Sequence, residues 1–229
     1  MTYEKTIICL ASSRKFSARC IAGISEGNTD DWIRPVSSRG SQEVSLQDTG
    51  LGTYPDVGDI LRIRFTEPKP SYYQSENHVI APGFGWQRLG RKSFGELVKL
   101  AAIEPADLWE NYHHTANGFS DKLPITIANR QTKSLVLIEP EDLVVTNHIE
   151  GDGNYGPPKR KHRIHFRYSG SQYTLACTDP WVENNAAFSG DSTPIKEKSL
   201  LCVSLGEEFN EHAFKLIASI ITENRIEKG

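Results

Sequence analysis

The fold of this chain is indicated most clearly by residues 159–178, which have the sequence KRKHRIHFRYSGSQYTLACT. Successive side chains of a strand project to opposite sides, so an extended segment here has two different faces. One face carries Ile164, Phe166 and Tyr168, and the other carries positive charge. The short Ser-Gly turn and the apolar segment after it are typical of a return strand. The sequence therefore predicts a β-hairpin with one buried face and one basic face.

The basic face of this hairpin is a candidate site for a polyanion, and nucleic acid is the first candidate. Alternate residues of a strand lie roughly 6.5–7 Å apart, which is close to the phosphate spacing of an extended single strand. The row is equally explained as a solvated face, or as charge that protects an edge strand from aggregation. Both interpretations stay open. The residues of the row are Lys159, Lys161, Arg163, His165 and Arg167.

The composition of the whole chain is that of an ordinary globular protein. Of its 229 residues 38% are hydrophobic and 24% are charged, and the formal net charge is −3. This charge excludes a generally basic nucleic-acid coat but leaves room for a local basic groove. The apolar run at residues 6–10 is typical of a strand rather than a signal peptide, and no run approaches the ~18 residues of a membrane span. We therefore expect a cytoplasmic protein that does not associate with a membrane.

Known catalytic and cofactor motifs are not found in the sequence. The four cysteines have no CxxC spacing, which favours buried reduced thiols over a zinc site. No Gly-rich nucleotide loop, zinc-protease helix or serine-hydrolase elbow occurs. We expect no metal and no cofactor. Whether the chain is an enzyme stays open, with a non-catalytic protein favoured over a hydrolase built from scattered Asp, Glu and His. The cysteines are Cys9, Cys20, Cys177 and Cys202.

Strand patterns dominate both ends of the chain, and helical patterns are confined to its middle. Ser93 and Glu96 form the pattern of a capping box that opens a helix. After Pro124 the pattern returns to strands, including residues 214–221, whose β-branched content favours a strand over a helix. Many short strands with Gly and Pro turns are typical of small barrels or a sandwich. Two small barrels fit the length better than one large one, and a single mixed sheet is the alternative.

A second basic group follows the first predicted strand. Serine hydroxyls, backbone amides and adjacent cations can bind a phosphate in a loop, although the Gly-rich spacing of a P-loop is absent. An ordinary hydrophilic β-turn is the alternative explanation. The residues of this N-terminal cluster are Ser12, Ser13, Arg14, Lys15 and Arg19.

Aromatic residues near cations form a third group of candidates. Trp32, two residues before Arg34, is either an exposed platform, worth roughly 1–3 kcal/mol for each stacked base, or a core residue. The Pro- and Gly-rich segment 68–92 also mixes aromatic and basic residues, which suits either single-stranded nucleic acid or a lid over the core. Its aromatic residues are Tyr72, Tyr73, Phe84 and Trp86.

Four short motifs occur in a recognisable order. They are ICLASSRK (8–15) with RCIAG (19–23), WIRPVS (32–37), TDP (178–180) with Glu183, and VSLGE (203–207) with KLI (215–217). This order resembles the bacterial dual OB-containing domain family over nearly the full chain. The resemblance implies two OB-like barrels in one unit, a nucleic-acid- or nucleotide-binding role, and a place in bacterial conflict with phage or plasmids. It implies no catalytic residue, and it does not extend to the basic strand.

These observations predict a mainly β protein with a few short helices, in which two small OB-like barrels pack as one unit. We expect the first barrel, with the helical insertion, at residues 1–120 and the second at 121–229. The predicted function is non-catalytic binding of single-stranded DNA or RNA in a bacterial defence system. The ligand contacts are assigned to the basic strand and to Arg14, Lys15, Arg19, Trp32 and Arg34.

Two other functions stay open. In the first, the loop at 12–19 and Arg34 bind a nucleotide or its derivative, and the chain signals to a protein partner encoded nearby. In the second, the chain is an interaction protein whose acidic residues bind a partner. Those acidic residues are Glu207, Glu208 and Glu211.

Overall fold

The N-terminal part of the chain forms a closed five-stranded barrel. The computed structural model describes residues 2–39, 42–101, 107–150 and 158–228. The first strands are β1 (Tyr3–Lys15), β2 (Ala18–Ser25), β3 (Trp32–Val36), β4 (Asp59–Pro68), β5 (Asn77–Ile80) and β6 (Gln87–Arg91). They run in the order β1-β2-β3-β5-β4, and β1 also pairs with β4, which closes the ring. Strand β6 extends the sheet beyond β4.

The closure of this barrel depends on the length of β1. Its first half pairs with β4 and its second half with β2, and Ile8 pairs on both sides. Strands β1 and β2 approach so closely at Gly23 that a Cβ there would collide with the carbonyl oxygen of Ile8. Glycine at a barrel strand permits such a bend. The interior that results contains Ile7, Ile21 and Leu61 in one fully buried cluster.

The C-terminal part of the chain repeats the same connectivity. Its strands are β7 (Lys122–Pro124), β8 (Leu135–Ile138), β9 (Glu141–Glu150), β10 (Lys159–Tyr168), β11 (Ser171–Cys177), β12 (Ser192–Pro194), β13 (Ser199–Phe209) and β14 (His212–Thr222). They run in the order β12-β9-β10-β11-β14-β13-β8, and β7 pairs with β14. Only residues 139 and 140 separate β8 from β9, so these two strands together take the place that β1 has in the first barrel. This confirms the predicted pair of OB-like barrels.

The hairpin predicted from residues 159–178 is β10 and β11, paired antiparallel from Arg163 opposite Ala176. Its turn has positive φ at both central residues, 48° at Ser169 and 77° at Gly170. That geometry matches the twist of the flanking strands. The predicted alternation is also present, since Ile164, Phe166 and Tyr168 are all buried.

Short helices connect the strands. They are α1 (Leu46–Thr49), α2 (Phe94–Ala101), α3 (Ile125–Ala128), α4 (Pro180–Asn184) and α5 (Glu223–Lys228), with a 3₁₀ helix at Ala186–Phe188. The predicted capping box opens α2, where the Ser93 amide donates to the Glu96 carboxylate over 2.9 Å. The first sheet ends at Arg91 and the second begins at Lys122. The boundary at residue 120 stays a prediction. None of the described helices has both the length and the apolar character to cross a membrane.

One hydrophobic cluster joins the two barrels. It contains Leu10 and Trp32 from the first barrel and Leu137, Leu200 and Ile221 from the second. Helices α2 and α5 complete it. Because apolar burial is the main favourable term in folding, this shared core holds the barrels as one unit.

The buried carboxylate of Asp179 is the polar centre of the same junction. One oxygen accepts from the Trp181 amide at the start of α4, over 3.0 Å. The other accepts from the Ile220 amide over 2.9 Å and from Arg225 Nη1 over 2.6 Å. The guanidinium of Arg225 also donates to Asp56 of the first barrel over 2.6 Å. Asp179, Arg225 and Asp56 therefore clamp α4 and α5 of the second barrel to the first.

The four cysteines form no disulfide; Cys9, Cys177 and Cys202 are buried, as predicted, whereas Cys20 is only partly buried. Burial raises the pKa of the thiols of Cys9, Cys177 and Cys202, which keeps them protonated. A protonated buried thiol is a poor nucleophile and a poor metal ligand. These side chains therefore serve as small apolar residues of the core.

Lys215 is a second buried charge and belongs to β14. Its Nζ donates to the Glu110 carbonyl over 2.7 Å and to Asn111 Oδ1 over 3.0 Å, and it lies 5.4 Å from the centre of the Tyr173 ring. Burial lowers its pKa to about 7, although Asp121 opposes the shift. The lysine ties the described segment at 107–121 to the second barrel.

Replacement of Asp179 by alanine is expected to lower the free energy of unfolding by about 3–5 kcal/mol, because it leaves the Arg225 guanidinium buried without its main partner. Urea denaturation measures the change. The matched control is Arg167→Ala, which breaks exposed ion pairs to Glu141 and Asp142. Such pairs contribute about 0–1 kcal/mol. Equal losses in the two variants would contradict the clamp.

The stability of the protein is expected to rise with pH between about 7 and 10. The folded-state pKa of Lys215 lies below that of the unfolded chain, so in this window the unfolded chain binds more protons. One such group contributes at most about 1.4 kcal/mol per pH unit. The variant Lys215→Met should lose this part of the slope in urea denaturation at several pH values. An unchanged slope would show that folding does not lower the pKa of Lys215.

Candidate nucleic-acid interface

The basic row of β10 is largely neutralised by neighbouring groups. The guanidinium of Arg163 is buried and lies 2.5 Å from Glu150 and 3.7 Å from Asp121. Arg167 pairs with Glu141 and Asp142 at the start of β9, 3.0 and 2.8 Å away. The assignment of Arg163 as a phosphate contact is therefore corrected, because its charge is already paired out of reach of solvent.

The remaining members of the row differ in character. His165 lies between Thr146 and Thr174, at 2.8 and 2.9 Å, and burial lowers the pKa of its imidazole. A neutral histidine contributes no charge at neutral pH. Lys159 is exposed and Lys161 is half-buried, and neither makes an ion pair with another described residue. Of the five residues in the row, only Lys159 and Lys161 therefore keep a positive charge that no described residue pairs with.

The N-terminal cluster forms the tip of the β1–β2 hairpin, which reaches across to the second barrel. Arg14 Nη2 lies 2.6 Å from Glu183 of α4, and Lys15 Nζ lies 2.7 Å from Glu207 of β13. The Arg14 amide also donates to the Thr178 carbonyl over 2.7 Å. Both ion pairs are partly exposed, so each is weak and a phosphate can compete with the carboxylate. Glu183 and Glu207 belong to two of the motifs identified in the sequence. They pair with Arg14 and Lys15, the cations of the motif at residues 8–15.

Trp32 is a core residue. Its side chain belongs to the cluster shared by the two barrels and is only 8% exposed. An indole so enclosed has no free face on which a base can stack. Of the two alternatives, the structure supports the core position, and the assignment of Trp32 as a nucleic-acid contact is corrected.

Arg34 is buried at the junction of the barrels. Its Nη2 donates to Ser134 Oγ over 2.8 Å and lies 3.2 Å from Glu76, and its Nη1 donates to Asn77 over 3.2 Å. The Nε–H is buried without an acceptor among the described residues. Arg34 thus links the first barrel to Ser134 of the second by a hydrogen bond, while its Nε–H makes no hydrogen bond to a described residue.

Arg19 lies apart from these groups, with its guanidinium 4.9 Å from the centre of the Tyr54 ring. It lines a cleft of about 510 Å³ beside the Asp179–Arg225–Asp56 clamp. A second cleft, of about 560 Å³, lies on the other side of Arg225. Arg225, whose Nε–H has no acceptor among the described residues, lines both clefts, but they contain neither Arg14 nor Lys15 of the N-terminal cluster.

A smaller cavity, of about 200 Å³, lies between the barrels and brings several predicted residues together. The tip of the β1–β2 hairpin forms one wall, with Arg14 and Lys15. Arg34 contributes from the first barrel, and β13 contributes Ser204 and Glu207 from the second. We refer to this space as the junction cavity.

Three strongly exposed aromatic side chains lie on segments that line or contact the junction cavity, and Phe16 is the one that lines it. Phe16, Tyr72 and Phe209 are 78%, 82% and 64% exposed. Phe16 directly follows Lys15, which pairs with Glu207. Tyr72 precedes Tyr73, whose hydroxyl donates to the Gly206 carbonyl over 2.6 Å, and Phe209 comes two residues after Glu207. We call these three residues the aromatic triad.

Of the aromatic triad, only Tyr72 was predicted from the sequence, and Phe16 and Phe209 were missed. A usable signal was present, since an aromatic residue next to a polar hairpin tip has little apolar surface to pack against. Phe16 and Tyr72 both have positive φ, 48° and 49°, and the tip after Phe209 has positive φ at Asn210 and Glu211. Such backbone is sparsely populated and concentrates at functional sites.

The basic row and the junction cavity do not share a groove. His162 is the side chain of β10 that faces Arg14 and Glu183, which both act on its imidazole, while burial lowers its pKa. It belongs to the even-numbered side of the strand. The row is odd-numbered and projects from the opposite side, because neighbouring residues of a strand alternate. The N-terminal cluster is therefore the better candidate site.

No group of three or more His, Cys, Asp or Glu side chains that could hold a metal ion occurs in the part of the chain that the structure describes. The polar groups of the junction cavity are mainly hydrogen-bond donors and acceptors and two exchangeable cations.

The comparison with family models agrees with this architecture. A search of curated proteins finds no match. One similar solved structure is the crystal structure of the tetrameric p202 HIN2; it is 8% identical, the match covers 96% of this chain and 91% of that one, and the TM-score is 0.34. That score is too low to support an inference. The model of the dual OB-containing domain matches residues 5–220 and confirms the resemblance seen in the motifs. The chain therefore belongs to the family of dual OB-containing domains.

Proposed function

We propose that this chain binds single-stranded DNA or RNA, without catalysis, at the surface formed by the aromatic triad and the junction cavity. The observation that carries the proposal is the aromatic triad itself. Three rings stand in solvent on three separate segments, and Phe16 lines the junction cavity together with the cations Arg14 and Lys15. Exposed aromatic rings beside cations bind unpaired bases by stacking and hold the backbone by charge. OB barrels use their strand faces and loops in this way.

The acidic residues around the site set the expected strength of the electrostatic contribution. Glu183 and Glu207 already pair with the two cations, and Glu208 lies next to Glu207. A strand that displaces two carboxylates makes about two phosphate contacts. We therefore expect stacking to supply most of the affinity and phosphate contacts the smaller part.

Stacking is tested with Phe16→Ala and Tyr72→Ala. Each variant should bind a short labelled oligothymidylate roughly 5- to 150-fold more weakly, the equivalent of 1–3 kcal/mol per base, as measured by fluorescence anisotropy. The matched control is Tyr112→Ala, which removes an equally exposed aromatic ring outside the triad. No loss in either triad variant, or the same loss in the control, would contradict the proposal.

The cationic contribution is tested with Arg14→Ala and Lys15→Ala over a salt series. The wild-type slope of log K against log salt should be about −1.4 for two contacts, and each variant should reduce it by about 0.7. The matched control is Lys159→Ala with Lys161→Ala on the basic strand, which should leave the slope unchanged. If the slope falls in the Lys159 and Lys161 variant and stays unchanged in the Arg14 and Lys15 variants, the phosphate contacts lie on β10 instead. No binding at low salt would remove the function altogether.

Two finer assignments accompany this proposal. Action in bacterial defence is supported only by the resemblance, and plaque counts on cells with and without the gene would test it. A nucleotide sensor is the second candidate, and the observation that favours it is the position of Arg14 and Lys15 on the wall of the junction cavity, where the phosphate of a nucleotide could bind outside while its base enters. A thermal-shift screen with mononucleotides tests it, since a ligand at 100 times its Kd stabilises the protein by about 2.7 kcal/mol.

A further inference from the structure

Arg34, which lines the junction cavity, carries a donor that no described residue satisfies. Arg34 is 5% exposed, lines the cavity, and has an Nε–H without an acceptor among the described residues. Its Nη groups are held by Glu76, Asn77 and Ser134, so the guanidinium cannot rotate to satisfy Nε without loss of another bond. An unpaired buried donor is costly. A ligand that supplies an acceptor relieves this cost.

The same cavity also contains an acceptor with spare capacity. Lys15 contacts only Oε1 of Glu207, and the carboxylate is about half exposed at the cavity wall. An ionised carboxylate only accepts hydrogen bonds, and its two oxygens can receive two donors side by side. Arg34 of the first barrel, with its unsatisfied donor, and Glu207 of the second, with its two acceptor oxygens, thus both line the cavity.

The volume limits what can enter. Pockets that enclose drug-sized molecules measure roughly 300–1,000 Å³, whereas this cavity measures about 200 Å³. It has room for a planar base but not for a base with its sugar and phosphate. Leu205, Leu216 and Phe16 supply the apolar part of the lining that a ring requires.

We propose that the junction cavity receives one unstacked base of the bound strand and prefers guanine. Guanine is the one standard base with two adjacent N–H donors, at N1 and N2, which match the two oxygens of Glu207. It also carries the acceptors O6 and N7, to which arginine donates in guanine recognition. The inference rests on the proposed function, because the base arrives as part of a strand held by the aromatic triad.

The test compares four labelled oligothymidylates, one unmodified and three with a single central guanine, adenine or cytosine. The guanine oligonucleotide should bind the wild-type protein at least fivefold more tightly than the other three, since a matched pair of hydrogen bonds gives discrimination of this order. If no oligonucleotide binds, the proposed function fails. If all four bind equally, binding stands and the guanine site is overturned.

Two variants locate the preference. Glu207→Gln replaces an acceptor oxygen by a donor, and the ratio of guanine to thymine affinity should fall to about one. Ser204→Leu fills the cavity and should have the same effect on that ratio. Glu208→Gln is the matched control, because it neutralises the adjacent carboxylate, which does not line the cavity, and it should keep the full ratio. A guanine preference that survives in Glu207→Gln would overturn the assignment, whether or not Ser204→Leu folds.

Discussion

Asp179 places a charge at the point where the two barrels and the last helix meet. Its two oxygens accept from the start of α4, from β14 and from Arg225, and Arg225 continues to Asp56. A buried carboxylate is tolerated only when such bonds replace its water. Each of its partners belongs to an element whose position affects the barrels' relative orientation. The shared apolar core supplies the driving force for association, and the ion pair fixes the geometry in which association occurs.

The candidate site is a consequence of that fixed geometry. With the barrels held by the clamp, the β1–β2 hairpin extends beyond the first barrel, and its tip meets α4 and β13. The ion pairs of Arg14 and Lys15 there are partly exposed and contribute little to stability. They keep the tip in place while leaving the cations open to exchange. The buried bonds of Arg34 with Glu76 and Ser134 form the floor below them.

The sequence predicts those parts of the fold that depend on local pattern. The alternation in β10, the Ser-Gly turn and the capping box at Ser93 each arise from neighbouring residues and are present in the structure. Arg163 and Trp32 were misassigned because their surroundings come from distant segments. Asp121 and Glu150 neutralise the arginine, and the second barrel covers the indole. Parity along a strand shows which side chains share a face, but not what covers that face.

The charge distribution explains why an acidic protein is a reasonable binder of single strands. Phosphate contacts give affinity without distinguishing sequences, and a strongly basic groove also attracts duplexes. Here Glu183 and Glu207 neutralise the two cations of the hairpin tip, so phosphates alone gain little. The rings of the aromatic triad gain most from bases that are already unstacked. In the proposed function, this partly neutralised site favours unpaired strands over duplexes, because only an unpaired base offers the aromatic triad its face.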